Sequence, residues 1–232
     1  MPIQHQIPLG FRFADEISFD TFQSENNAQL IASLHELLGR NGRNYVFMWG
    51  KAGSGKSHLM QASIQYVAGE NRPVAYLPFK ESGSLSPKVL EGLEQMSLVC
   101  IDDVDCIAGN AEWEEAIFHL FNRCHDAATS LLISASAIPQ AIGIRLKDLE
   151  SRLSWGITYQ LIELNDAQKM RALQKRAHAR GMQLNDEVCR YLLSRYSRRT
   201  SDLFELLNTL DRESLTEQRK LTIPFVSQFI KH

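Results

Sequence analysis

Residues Tyr45–Ser57 read YVFMWGKAGSGKS. The apolar run Tyr45–Trp49 leads directly into Gly50, Lys51, Ala52, Gly53, Ser54, Gly55, Lys56 and Ser57, which satisfy G-x-x-x-x-G-K-[ST] at each fixed position. A helical pattern, His58–Val67, follows. Strand, glycine-rich turn and helix is the context in which this motif binds phosphate. The glycines let the backbone curl so that successive N–H groups point at phosphate oxygens. The helix adds its positive N-terminal end, which begins at Ser57 and His58. Lys56 is the residue expected to reach the β- and γ-phosphates, and the Ser57 hydroxyl is expected to bind Mg²⁺. The whole stretch Gly50–His58 is therefore the candidate nucleotide site.

A second stretch fits the first. Leu98–Asp103 reads LVCIDD, an apolar strand that carries carboxylates to its C-terminal end. In a P-loop protein this is the Walker B position. Asp102 is the expected Mg²⁺ ligand, and Asp103 is placed to polarise an attacking water.

Further short apolar runs, Val74–Leu77, Leu131–Ser134 and Thr158–Leu164, complete a set of five expected strands. They are continuous rather than alternating, as strands buried on both faces of a parallel sheet are. Helical patterns separate them. Ala28–Leu38 has Leu30, Leu34, Leu37 and Leu38 on one face, with Asn27 as expected N-cap and Gly39 as stop. Trp113, Ala116, Ile117, Leu120, Phe121 and Cys124 make a second apolar stripe. Strands alternating with helices predict a doubly wound α/β domain over residues 17–164. From Asn165 onward only helical patterns occur: a first capped by Asn165 or Asp166 and closed by Gly181, then Asp186–Tyr196, then one starting near Ser201, then one after Pro224. Residues 165–232 are thus expected to form a small helical domain, and residues 1–16 a flexible tail.

Composition narrows the function. The chain has 232 residues, 44% hydrophobic and 22% charged, an ordinary globular balance. Lys and Arg (25) against Asp and Glu (27) leave a net charge of −2, which disfavours autonomous, phosphate-driven DNA binding. No apolar run reaches the ~18 residues of a membrane span. The first residues, MPIQHQIPLG, lack the charged start and apolar stretch of a secretory leader. Cys100, Cys106, Cys124 and Cys189 form no CxxC pair, so a reducing cytoplasm is the expected setting and structural zinc is not expected.

With these motifs stand Asp148–Gly156, DLESRLSWG, and the lid helix start SDLFELL at Ser201–Leu207. The Walker pair, the SRL-x-WG block and the helical appendage resemble the AAA+ ATPase core of the DnaA family of bacterial replication initiators. The likeness covers residues 17–232, and the initiator's helix-turn-helix DNA-binding domain has no counterpart in this sequence. This layout resembles the regulatory branch of the family. Such members bind the β sliding clamp of DNA polymerase III on DNA and promote hydrolysis of the ATP carried by DnaA, preventing a second initiation. The resemblance implies an adenine nucleotide, ADP or ATP, with Mg²⁺. It implies that Arg152 is an arginine finger acting in trans. Gln4, Ile7, Pro8 and Leu9 resemble a clamp-binding peptide, with DNA contacted indirectly through the clamp. Phe19 and Phe22, in the segment before the first helix, stand where the family lines the base pocket, although packing in the core accounts for them equally well.

The sequence also departs from the initiator. Ser136 occupies the sensor-1 position, where the initiator has Asp, and Ser201 the sensor-2 position, where it has Arg. Arg198 and Arg199 directly precede Ser201. These changes point away from fast turnover at the chain's own site. The competing expectation is an autonomous AAA+ ATPase that remodels or loads a replication partner, which intact Lys56 and Asp102 permit. An arginine finger can also serve a homo-oligomer.

Overall fold

The computed structural model describes residues 17–22, 26–39, 45–81, 85–197 and 199–230. The tail residues Gln4, Ile7, Pro8 and Leu9, and Arg198, lie outside them.

Five strands, β1 (Tyr45–Trp49), β2 (Val74–Pro78), β3 (Leu98–Asp102), β4 (Ser130–Ala135) and β5 (Thr158–Gln160), form one parallel sheet in the order β2-β3-β4-β1-β5. Register is continuous through the centre: Phe47 of β1 pairs with Ile133 of β4, which pairs with Ile101 of β3. Side chains alternate across the sheet. Phe47, Val99, Ile101, Leu131 and Ile133 enter one core; Val46, Met48, Leu98, Cys100 and Leu132 enter the other. Helices cover both faces. The first core is closed by α3 (Ala111–Asp126) and α4 (Lys147–Leu153), the second by α1 (Ala28–Leu38) and α2 (Lys56–Gly69). Burial on both sides is why the strands read as unbroken apolar runs.

Two expected details differ. Asn27 does not cap α1 with its side chain. Its amide instead brackets Ile162, donating to the carbonyl (3.3 Å) and accepting from the N–H (3.1 Å). The fifth strand ends at Gln160 rather than Leu164 for a related reason. Leu161 N–H still reaches the Trp49 carbonyl at 2.7 Å, but the next residue pairs with Asn27 instead of with β1. A buried side-chain amide here substitutes for a ladder rung and turns the chain out of the sheet.

The remaining helices are α5 (Asp166–Ala179), α6 (Asp186–Arg195), α7 (Thr200–Glu217) and α8 (Ile223–Val226). Asn165 and Gln168 form a reciprocal capping box at the start of α5, and Asn185 caps α6 through Val188 N–H. Pro224 sits in the first turn of α8, where a missing N–H costs nothing. Leu173, Ala177, Val188, Leu192, Leu203, Leu207, Leu210 and Phe225 form a core separate from the two around the sheet. Gln168 ties this lid to the segment before α1 through Asn26 (3.2 Å), and Lys175 donates to the Asp20 carbonyl. No helix among the described residues is long and apolar enough to cross a membrane.

Candidate nucleotide-binding site

The loop between β1 and α2 is shaped by its glycines. Gly53 (φ +82°) and Gly55 (φ +104°) take left-handed conformations that other residues rarely adopt. A Cβ on Gly55 would lie 2.7 Å from the Phe22 ring, so this position is closed to side chains on steric grounds as well. The loop starts on the sheet, where Gly50 N–H continues the ladder to the Ala135 carbonyl (3.2 Å). It ends at Lys56, where α2 begins with its first-turn N–H groups unpaired within the helix.

Lys56 is buried. Its amine donates to the carbonyls of Gly50 (2.9 Å) and Lys51 (3.4 Å) and lies 3.7 Å from Asp103 Oδ1. Gly50 and Lys51 therefore act through their carbonyls and do not line the cavity. The Ser54 hydroxyl is buried within the loop without a hydrogen-bond partner among the described residues, an uncommon and costly state for a buried polar atom. An anion at this loop would meet that hydroxyl, the Lys56 ammonium and the start of α2 together. The residues present thus fit a phosphate group.

The two Walker B carboxylates separate. Asp102, at the end of β3, faces inward, where Tyr76 Oη donates to Oδ2 (3.0 Å) and Ser134 Oγ donates to Oδ1. Asp103 has φ +56°, which turns its side chain to the cavity wall. Its N–H donates to Ser134 Oγ (2.9 Å), and Lys80 Nζ lies 2.7 Å from its Oδ2. That contact, and to a smaller degree the remaining charge of Asp103, holds the Lys80 ammonium pKa above its usual range. Ser57 and Asp103 line the cavity, whereas Asp102 stands behind them, held by Tyr76 and Ser134.

The cavity encloses about 330 Å³, within the range of small-molecule sites. Its walls are Ala52–His58 from the loop and α2, Thr21 and Phe22 from the segment before α1, and Lys80 and Asp103 from the sheet edge. Leu164, Ala172, Thr200, Ser201 and Phe204 close it from the lid side. His58 is neutral by preference. Burial lowers its pKa and outweighs the hydrogen bond to the Ser18 carbonyl (3.0 Å); the positive Arg176 nearby lowers it further.

Besides Gly50 and Lys51, two more expected site residues lie outside the cavity wall. Phe19 is not in the cavity wall; its ring packs on His35 (4.7 Å) and Tyr66 (6.4 Å), the core role that its sequence context left open. Ser136 is also outside. Its hydroxyl and N–H both bind Asp105, at 2.7 and 3.1 Å, because the side chain that reaches the Walker B aspartates is Ser134, within the strand. Ser201 does line the cavity, with its hydroxyl on Asp202 (3.0 Å), and Arg199 stands beside Gly53. Lys80 and Thr21 carried no motif. Only the position of Lys80, just past a strand at the carboxyl edge of a parallel sheet, marks it as a candidate. The lid residues enter through the docking of α5 and α7, which local sequence does not reveal.

With this geometry established, the comparisons decide the family. The bacterial DnaA ATPase domain model matches residues 13–160, and a model described as the lid domain of Hda matches residues 166–230. This chain belongs to the DnaA family. Domain III of the Thermotoga maritima initiator DnaA superposes with a TM-score of 0.78 at 21% identity, covering 96% of this chain and 100% of that one. AMPPCP-bound DnaA from Aquifex aeolicus gives 0.71 at 20% identity, covering 90% and 71%. A Thermotoga maritima RuvB variant gives 0.66 at 15%, covering 91% and 70%. At these identities the structures establish the shared AAA+ fold. The chain is a DnaA-related AAA+ protein of replication initiation with an Hda-type lid.

Arg152, in the SRL-x-WG block of this DnaA-family chain, is not among the cavity residues. It sits in the last turn of α4 with its guanidinium 5.1 Å from the Trp155 ring centroid, in a groove shared with Phe118, Asp148 and Ser151. Trp155 is 48% exposed and stacks on His125 at 4.9 Å. Among the described residues no carboxylate pairs with Arg152.

Proposed function

We propose that this chain is an adenine-nucleotide-bound adaptor that links the DNA-loaded β sliding clamp to DnaA and donates Arg152 in trans to the nucleotide carried by DnaA. The DnaA-bound ATP is then hydrolysed and reinitiation is blocked. The observation that carries this reading is the position of Arg152: outside its own chain's cavity, seated on an exposed aromatic ring, with no acidic partner among the described residues. A guanidinium so held is available to a second protein. An arginine finger is worth about 10³–10⁵ in rate where it has been measured in GTPases.

Bound nucleotide sets the framework. The Ser54 hydroxyl, Lys56 and the start of α2 would receive its phosphates, and Phe22 and Phe204 offer rings for the base. Mg²⁺, which supplies charge neutralisation at the phosphates, would be held by Ser57, with Asp103 at the cavity wall and Asp102 behind it. Because the lid completes the cavity, occupancy biases the angle between the lid and the sheet domain. Clamp attachment rests on Gln4, Ile7, Pro8 and Leu9, where a short extended segment with Ile and Leu anchors can enter an apolar pocket.

The test is hydrolysis of DnaA-bound ATP with this chain and ADP, with and without DNA-loaded clamp. Acceleration that requires the clamp, and is lost when Gln4, Ile7 and Leu9 are replaced by Ala, is the expected result. Phosphate release by this chain alone, with no effect on DnaA, would instead favour an autonomous ATPase. Intact Lys56, Asp102 and Asp103 are the observation in favour of that second reading.

A further inference from the structure

Glu114, in the first turn of α3, is only 1% exposed, and its hydrogen-bond partners among the described residues are backbone N–H groups. Oε1 accepts from Gly109 (2.6 Å) and Arg145 (3.2 Å); Oε2 accepts from Arg145 (3.0 Å) and Leu146 (2.7 Å). Leu146 directly precedes α4, and that helix start has no side-chain cap of its own. At the other end of α4 the Leu153 carbonyl accepts from Tyr45 Oη at 2.9 Å. Leu149 and Leu153 are fully buried between these two anchors. Arg152 stands in the last turn of the same helix. At 1.5 Å of rise per residue, its backbone lies about 9 Å from Leu146 along the helix axis. A change in where α4 starts is therefore carried to the guanidinium.

We propose that Glu114 is a positioning residue for Arg152: it fixes the start of α4, and with it the place of the guanidinium when a second protein docks. The inference rests on the trans role of Arg152 given above. Three N–H groups converge on two carboxylate oxygens, and an ionised acceptor makes such bonds short and strong. Glu114→Gln keeps one accepting oxygen but turns an NH₂ toward these donors, so a buried N–H is left unpaired. Glu114→Asp keeps the charge but is one methylene too short to reach all three. In both variants Leu149 and Leu153 still pack α4 against the sheet, so the helix shifts rather than detaches. A displacement of about 1 Å can cost about 10²-fold in rate, so a small shift is enough to idle the finger. Glu115, the next residue, is a natural control. Its side chain is 72% exposed and pairs only with His119 (3.7 Å) among the described residues.

The test compares the full chain with Glu114→Gln, Glu114→Asp, Glu115→Gln, Arg152→Ala and the Glu114→Gln/Arg152→Ala pair. Hydrolysis of DnaA-bound ATP is followed on DNA-loaded clamp over a range of chain concentrations, and affinity for fluorescent ADP is measured alongside. Glu114→Gln and Glu114→Asp should lower the maximal rate by about 10–10²-fold, with the half-maximal concentration and ADP affinity within about twofold. Glu115→Gln should match the parent, and the pair should be no worse than Arg152→Ala alone. Amide hydrogen exchange should speed up over residues 145–153 in Glu114→Gln and stay at the parent level over α2 and α5. A parent-like maximal rate in Glu114→Gln overturns the proposal, as does a further loss in the pair. So does a weaker half-maximal concentration with the maximal rate intact, which would make Glu114 a support of the docking surface. Lost ADP affinity or faster exchange throughout also overturns it, because Glu114 would then hold the whole fold. If the parent chain itself fails to stimulate DnaA, the trans reading falls. The exchange pattern then decides separately whether Glu114 holds α4.

Discussion

The two basic side chains with the strongest functional claim, Lys56 and Arg152, are held in opposite ways. Lys56 is enclosed by its own chain: two loop carbonyls and Asp103 surround the amine, and its side chain is 7% exposed. Arg152 has an aromatic face beneath it and no acidic partner among the described residues. A cation–π contact at an exposed site is worth only about 0.5–1 kcal/mol. It orients the guanidinium without neutralising it. Lys56 is thus saturated by local partners, whereas Arg152, the proposed finger, is steered without being neutralised. The sharpest way to break this comparison is Arg152→Ala. Stimulation of DnaA-bound ATP hydrolysis should fall by about 10³ or to background, equivalent to about 4 kcal/mol of barrier. Affinity of the chain for fluorescent ADP should not change. A parallel loss of ADP affinity would show that Arg152 serves its own cavity, and the distinction between the two cations would collapse.

The same comparison can be sharpened at the loop itself. Gly55 carries φ +104° and has Phe22 within 2.7 Å of any added Cβ, whereas Gly69, at the end of the same helix, has open space around it. Gly55→Ala should therefore cost about 1–3 kcal/mol in backbone strain alone, with the displaced Phe22 ring adding to it. Gly69→Ala should be neutral or stabilise by about 0.5–1 kcal/mol. Urea unfolding of the two variants reads the difference. Equal midpoints would mean that the left-handed turn imposes no constraint.

What was legible in the sequence follows the same division between local and long-range causes. The β1-loop-α2 unit could be read from residues 45–57 because its geometry is dictated by adjacent residues: an apolar strand, glycines where φ is positive, a lysine at the helix start. The apolar runs similarly announced a sheet buried on both faces, and Asn165 announced the start of the lid, with its capping-box partner Gln168 supplied by the structure. What the sequence hid involves partners distant along the chain. Asn27 is the N-cap residue of α1, but its side chain binds Ile162, 135 residues away. Ser136 looked like the sensor, yet Ser134 is the residue whose strand position faces Asp102 and Asp103. Phe19 and Phe22 were indistinguishable by pattern, and only the packing of His35 and Tyr66 takes Phe19 away from the cavity. Lys80 had no motif because its partner, Asp103, lies on the neighbouring strand's end. Each of these contacts depends on tertiary register, which spacing along one chain does not encode.

The smallest expected effect concerns how the segment before α1 is joined to the loop helix. His58, at the start of α2, reaches the Ser18 carbonyl at 3.0 Å, packs its ring 5.5 Å from Phe22, and feels the charge of Arg176 in the lid. Burial is the dominant cause that lowers its pKa below the ordinary 6.5, with Arg176 adding to it and the Ser18 bond opposing it. The fold therefore favours the neutral imidazole. A group with a lowered folded-state pKa binds its proton more readily when unfolded, so acid favours unfolding. The contribution of His58 is present above pH 6.5 and is lost as pH falls through the lowered folded value. Thermal unfolding should accordingly show a drop in Tm between pH 7 and pH 5. His58→Gln, which keeps a donor near Ser18 but cannot titrate, should shrink that drop. The effect is small because one partly compensated imidazole is involved, yet its location matters. Ser18, His58 and Arg176 come from the segment before α1, the nucleotide loop helix and the lid respectively, so protonation at this point loosens the junction that closes the cavity. If Gln at position 58 leaves the pH dependence as steep as in the parent, the acid sensitivity belongs to other groups, and the junction rests on contacts such as Asn26–Gln168 and Lys175–Asp20 instead.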